Sequence, residues 1–183
     1  LKRTALLAPS FVIALVLAAC GEVATDPADP FPPRPYTIDV TRVEPCSGLD
    51  AEQRERLSLQ HGSESLAQGG TSRACTWPST DGVGYTFQTL ELDAGAAIGA
   101  DPTSTLVTVA GFGAVQSSPP AQGTGLPFCQ VVLDVADDAS LRAQLQVSPL
   151  AAEADRRTVE ATCEQLHTVA AQMLENLRVQ QGQ

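Results

Sequence analysis

A chain of 183 residues, 43% of them apolar, is long enough for one domain around a single hydrophobic core. Its formal charge of −10 disfavours nucleic acid and anionic lipid headgroups as partners. Catalytic side chains are scarce: His61 and His167 are the only histidines and Lys2 the only lysine, which excludes a Ser–Lys dyad beyond the first residues.

Lys2 and Arg3 open the chain, and Ala5 to Leu17 follow as an apolar run broken only at Pro9 and Ser10. At about 13 residues the run is short of the roughly 20 that span a bilayer. With the small residues Leu17-Ala18-Ala19 ahead of Cys20, it predicts a secretory signal peptide over residues 1–19. Leu-Ala-Ala-Cys also matches a bacterial lipobox. The Cys20 thiol would take a diacylglyceryl group, and the small neighbours let the peptidase reach the bond. Two or three palmitate-type acyl chains on one residue anchor stably. The expectation is therefore a protein lipid-anchored at the outer face of the cytoplasmic membrane, extracytoplasmic, with the bilayer as its first partner. The other reading is a secreted protein whose signal happens to end near a cysteine. Cleavage takes the charge from −10 to −12 by removing Lys2 and Arg3.

Residues 20–35 carry the lipidated cysteine and five prolines, Pro27, Pro30, Pro32, Pro33 and Pro35. Extended polyproline backbone rises about 3.1 Å per residue, so this stretch reads as a stand-off tether of roughly 45 Å. Residues 36–183 read as one domain.

Tyr36, Ile38 and Val40 alternate with polar residues as in a half-buried strand. After Pro45-Cys46-Ser47-Gly48, Asp50 and Gln53 stand in capping-box spacing and open a helix over about 51–59. Residues 60–72 are Gly- and Ser-rich and read as a loop. Cys75 and Trp77 begin the β region, followed by a longer strand from Tyr85 to Leu92. There Tyr85 and Phe87 fall on one face and Leu90 and Leu92 on the other, which predicts a bulge or twist near Thr89. Leu106–Val109 and Ala114–Gln116 flank a turn or bulge at Gly111-Phe112-Gly113, and residues 117–127 form a Pro/Gly loop. The clearest β pattern is a hairpin. Cys129, Val131, Leu133 and Val135, then Leu141, Ala143, Leu145 and Val147, make one buried face opposite a wet one. Val159, Cys163, Leu166, Ala170, Met173 and Leu177 recur at helical spacing in a helix over about 151–179.

The fold class is therefore α+β: an antiparallel β-sheet of about five or six strands, an early short helix and a long C-terminal helix packed on one face, and two disulfides. An even number of cysteines beyond Cys20, in an exported chain without Cys-x-x-Cys, points to disulfides and away from structural zinc or thioredoxin-like chemistry. Period two buries Cys129 on its strand and period 3.6 buries Cys163 on its helix. Of the three connectivities this favours Cys129–Cys163, leaving Cys46–Cys75.

Each candidate for chemistry has a plainer reading beside it. His61 with Ser63 and Ser65 suggests a Ser–His pair, but no nucleophile elbow accompanies it. Cys163 and His167 could ligate a metal only as a reduced thiol. Asp134, Asp137 and Asp138 suggest calcium without the length or ligand pattern of a dedicated loop. Gly111-Phe112-Gly113 lacks the rest of a nucleotide fingerprint. No cofactor or metal site is expected. Trp77 shares a strand face with Cys75, as an aromatic packed on a disulfide does. Together with Tyr85 and Phe87 it could instead line a ligand pocket, and the sequence leaves both readings open.

Several segments together carry a family resemblance: the lipobox and Pro-rich tether, Val43-Glu-Pro-Cys-Ser-Gly-Leu49 leading into a helix, Cys75-Thr-Trp77 after a Gly-rich loop, Val109-Ala-Gly111 with Ala114-Val115, Cys129-Gln-Val-Val-Leu-Asp-Val-Ala136, and a late helix with Cys163. In these the chain resembles the actinobacterial lipoproteins of domain-of-unknown-function family 3558 (DUF3558). Members often have Gly-Arg-Pro-Ala-Val where this chain has Gly111-Phe-Gly-Ala-Val115, and Pro before the last cysteine where it has Thr162. The resemblance implies the anchor and the disulfides, and no activity or substrate. The expected function is a non-catalytic binding or accessory module for an envelope protein, glycan or lipid. The alternative is an extracytoplasmic hydrolase using His61 or acidic residues.

Overall fold

A computed structural model describes residues 29–119, 125–152 and 154–182. The signal segment 1–19, Cys20 and most of the tether lie outside the described residues.

Seven strands form one antiparallel sheet, in place of the five or six expected: β1 (Ser63–Ala67), β2 (Ser72–Trp77), β3 (Val83–Leu90), β4 (Thr105–Val109), β5 (Phe112–Ser117), β6 (Phe128–Ala136) and β7 (Ala139–Val147), in the order β1-β2-β3-β7-β6-β5-β4. Two meanders, β1–β3 and β4–β7, thus meet edge to edge where β3 pairs with β7 from Val83↔Val147 to Leu90↔Ser140. β1 lies within the stretch read as a loop. It is an edge strand whose residues are nearly all exposed, so it carries no alternation to detect. The segment from Tyr36 to Thr41 keeps its predicted alternation of buried and exposed residues but is not a strand. Ile38 donates to the Val135 carbonyl (3.0 Å), and then Asp39 caps a 3-10 turn over Val40–Arg42, which ends the pairing.

Two-residue turns set the β4–β5 and β6–β7 hairpins. Ala110 (φ 50°) and Gly111 (φ 85°) both have positive φ, as a type I′ turn between β4 and β5 requires, so Phe112 and Gly113 belong to the strand. The predicted slip near Thr89 is absent: β3 pairs in regular register to its end. Leu90 is buried on the second face because that face is itself covered there, by Ala94, Val132 and the partly buried Phe31 and Ala97. The irregularity in this sheet falls instead between Asp134 and Ala136.

The first helix, α1 (Ala51–Arg56), is opened by the predicted capping box: Gln53 N donates to Asp50 Oδ1 (2.7 Å) and Asp50 N to Gln53 Oε1 (2.9 Å). It stops short of Leu59 because Ser58 turns left-handed (φ 54°) and Leu59 bridges to Ser79. The last helix, α2 (Val159–Gln180), starts later than expected, at the cap Thr158, whose Oγ1 accepts from Ala161 N (3.2 Å). Its buried stripe is Cys163, Leu166, Val169, Ala170, Met173, Leu174 and Leu177, while Val159 lies exposed at its first turn.

This stripe covers one face of the sheet, where it meets Cys129, Val131, Leu133, Leu141, Ala143, Leu145, Tyr85 and Phe87 in a single core. Disulfides Cys129–Cys163 and Cys46–Cys75 tie α2 to β6 and the segment before α1 to β2. Each closes a loop of about 30 residues, worth roughly 3–4 kcal/mol by the chain-entropy estimate. Polar contacts also register α2. Gln165 Nε2 donates to Tyr85 Oη (2.7 Å) and accepts at Oε1 from Arg157 (2.8 Å), while Asn176 Nδ2 donates to the Gly48 carbonyl (2.9 Å) and Gln53 Oε1 (2.7 Å). Burial pushes the Tyr85 phenol up to about 12.

Candidate functional site

The opposite face of the sheet is built from the wet positions of the same strands. Its central rung runs across five of them, Thr76–Thr86–Gln144–Gln130–Ser117, through adjacent register positions. Strand spacing brings these short and amide side chains into cross-strand contact. Thr76 and Thr86 share a hydroxyl hydrogen bond (3.2 Å), Gln144 donates to Gln130 (3.0 Å), and Gln130 donates to Ser117 Oγ (2.8 Å). The next rung carries Gln88 and Arg142: Arg142 donates to Gln88, Gln88 to Ser72, and Ser72 Oγ to the Thr89 carbonyl (2.6 Å). Arg142 is half-buried, and desolvation lowers its affinity for a proton. Its Nε has no hydrogen-bond partner among the described residues.

Beyond this rung, toward the Asp137-Asp138 turn, the face is closed. Phe31 lies over Gly113, where a Cβ would sit 2.7 Å from the Phe31 Cβ. Arg34 forks onto Asp134, Nε to Oδ2 at 2.8 Å and Nη2 to Oδ1 at 2.7 Å, and reaches Asp137 at 2.6 Å. Asp134 is 2% exposed, and the two carboxylates hold the guanidinium strongly protonated. Two of the three carboxylates that suggested calcium, Asp134 and Asp137, therefore face an arginine. The same contacts move the end of the tether, expected at residue 35, toward the N-terminus, since Phe31 to Pro35 lie against the sheet.

At the other end the face is open. A groove of about 320 Å³ runs over Gly84, whose missing side chain lowers its floor. Thr76, Thr86, Gln144 and Gln146 line it with hydroxyls and amides, and Pro78, Phe128 and Leu150 supply apolar walls. Among the described residues no Asp, Glu, Arg, Lys or His lines the groove. In a chain of net charge −10 this is a local exception.

Of Trp77, Tyr85 and Phe87, the expected ligand-contacting residues, Trp77 and Tyr85 stand among the residues that line the groove, but the side chains of all three lie on the core face. They are 0%, 2% and 0% exposed and belong to the core. Gly62 lies against Trp77 and the Cys46–Cys75 disulfide; a Cβ there would be 2.4 Å from Cys75 Sγ and 2.6 Å from Trp77 Nε1. His61 is exposed in the loop before β1, and Ser63 Oγ donates to the Thr76 carbonyl (3.5 Å) rather than to the imidazole. His167 is half-buried on α2, where desolvation lowers its pKa despite nearby Glu164, and Cys163 one turn earlier is disulfide-bonded. Apart from Trp77 and Tyr85, none of the groove residues is among those expected to contact a ligand. A run of uncharged amides, Gln130, Gln144 and Gln146, at the wet positions of one hairpin is the signal that could have found them.

Fold and site define a disulfide-braced α+β domain with one sheet face packed and half of the other open. The chain belongs to the family described as "Protein of unknown function (DUF3558)", whose profile matches residues 15–176. No curated protein matches it. A solved structure from Bacteroides thetaiotaomicron is similar at 10% identity and a TM-score of 0.33, over 56% of this chain and 48% of the other. The chain thus spans about half the length of that relative. Among the described residues no helix is long and apolar enough to cross a membrane.

Proposed function

We propose that this protein is an extracytoplasmic, non-catalytic binding module, anchored through acylated Cys20 at the outer face of the cytoplasmic membrane, whose working surface is the groove over Gly84. The observation that carries the reading is the groove's chemistry. It offers hydroxyls, amides and apolar walls, and among the described residues no acid, base or nucleophile–base pair lines it. Neutral lining selects an uncharged partner, because a charge brought into it would lose hydration without gaining a counter-charge. The lipobox and signal pattern support the address.

Two measurements test this. Intact mass of the membrane-extracted protein is expected to match a chain beginning at Cys20 plus a diacylglyceryl group, and to rise by about four protons on reduction of the two disulfides. An unlipidated mass removes the anchor. Immobilised protein is expected to retain an uncharged envelope component that the Gln146→Ala and Phe128→Ala variants release, with no chemical change in that component. Turnover of the bound component removes the non-catalytic reading.

A further inference from the structure

We propose that the groove's ligand is a neutral glycan of the envelope, presented from the side away from the membrane; this rests on the groove being the binding site and on the anchor at Cys20. Three features of the lining point to a sugar. Side-chain hydroxyls and amides of Thr76, Thr86, Gln144 and Gln146 line it, where they can exchange hydrogen bonds with ring hydroxyls in either direction. The Phe128 ring stands with Pro78 and Leu150 as an apolar wall against which the C–H face of a pyranose or furanose packs. The cross-strand hydrogen bonds from Gln144 to Gln130 and from Gln130 to Ser117 hold the Gln144 amide in place before a ligand arrives, so little of its side-chain entropy is lost on binding. At about 320 Å³ the groove is at the small end of ligand sites, suited to a short stretch of an extended chain.

The direction of approach follows from the strap. Phe31 and Arg34 fix the incoming chain at the Asp134–Asp137 end of β6, and the groove lies at the opposite end, beside Phe128 on β6 and Gln146 on β7. β7 spans nine residues from Ala139 to Val147, about 27 Å end to end at the rise of an antiparallel strand. The chain thereby enters the domain at the strapped end while the groove opens at the other, which favours a polysaccharide over a lipid headgroup.

The test is a titration of the intact exported chain with neutral linear hexasaccharides of glucose, mannose and arabinose as separate probes, read by NMR at the side-chain amides of Gln144 and Gln146 and the ring of Phe128. At least one hexasaccharide is expected to shift these signals saturably. Gly84→Val should weaken the effect at least tenfold without lowering Tm, since a Cβ there meets only the Trp77 carbonyl oxygen at 3.4 Å and a β-branched side chain suits a strand. A neutral Ser/Gly peptide and phosphatidylcholine vesicles serve as the other arms. If either of these shifts the groove signals in a way Gly84→Val abolishes while every sugar is silent, the glycan is overturned and the groove stands as the site. If no probe moves those signals, both the glycan and the groove are overturned.

Discussion

The two faces of the sheet are made from alternate residues of the same strands, yet they answer different physical demands. On the core face Val131, Leu133, Leu141 and Leu145 are fully buried under α2, and a disulfide joins that helix to β6. On the other face Thr86, Gln144, Gln130 and Ser117 stand at the intervening positions, Thr86 hydrogen-bonded to Thr76 and the other three to one another, with Thr86, Gln144 and Gln130 only partly buried. Stability is concentrated where the residues are apolar and cross-linked. The face with capacity to bind is the one that contributes least to holding the fold.

Variants can sharpen this contrast. The largest effect is expected on the core face: Leu166→Ala should cost about 2–5 kcal/mol, read by denaturant unfolding. Removing the Cys129–Cys163 bridge with paired alanines should cost roughly 3–4 kcal/mol, and a reductant should lower Tm of the native protein in the same sense. Gly62→Ala should follow at about 1–3 kcal/mol, since its methyl meets the Cys75 sulfur and the Trp77 indole, both of them core atoms. On the other face Arg34→Ala should cost less, about 1–2 kcal/mol, because the arginine is partly exposed while Asp134 is left without its counter-charge. Its more specific signature is faster proteolysis between residues 29 and 36.

The smaller effects separate the faces further. His167 has a folded pKa lowered by desolvation, so the unfolded chain binds the proton more readily. Its contribution is intact above the ordinary value of 6.5 and is lost as pH falls from there through the lowered folded pKa. His167→Gln should flatten that part of the stability profile measured by thermal melts. Gly84→Val should raise stability by about 0.5–1 kcal/mol, because glycine in a strand interior loses more chain entropy than other residues. A variant that stabilises the fold and abolishes binding would be the cleanest mark of a surface kept open for a ligand.

Much of the fold was legible because period-two and period-3.6 burial leave direct marks on sequence. The alternation from Cys129 to Val147 and the stripe from Cys163 to Leu177 gave the hairpin, the helix and the face each cysteine occupies. β1 was illegible because Ser63 to Leu66 are exposed on both sides, and pairing along a sheet edge imprints no pattern on side chains that nothing buries. Leu90 misled for the opposite reason: a strand covered on both faces loses its alternation, and the cover here comes from Phe31 and Ala94, distant or irregular in sequence. The groove was harder still. Its polar lining is small and neutral, whereas the aromatic pattern marks Trp77, Tyr85 and Phe87, whose side chains are buried on the core face even though Trp77 and Tyr85 border the groove. Arg34 pairing with Asp134 is a contact over 100 residues that composition cannot announce.

The most direct test of the division between faces is hydrogen–deuterium exchange of the intact exported protein, with and without a neutral polysaccharide fraction of the envelope. Slowed exchange confined to Val83–Thr86 and Gln144–Ser148, the strands beneath the groove, is the predicted result. Protection that maps instead to α2, to β1 or to the strap at Phe31–Pro35, or no protection at all, would contradict it.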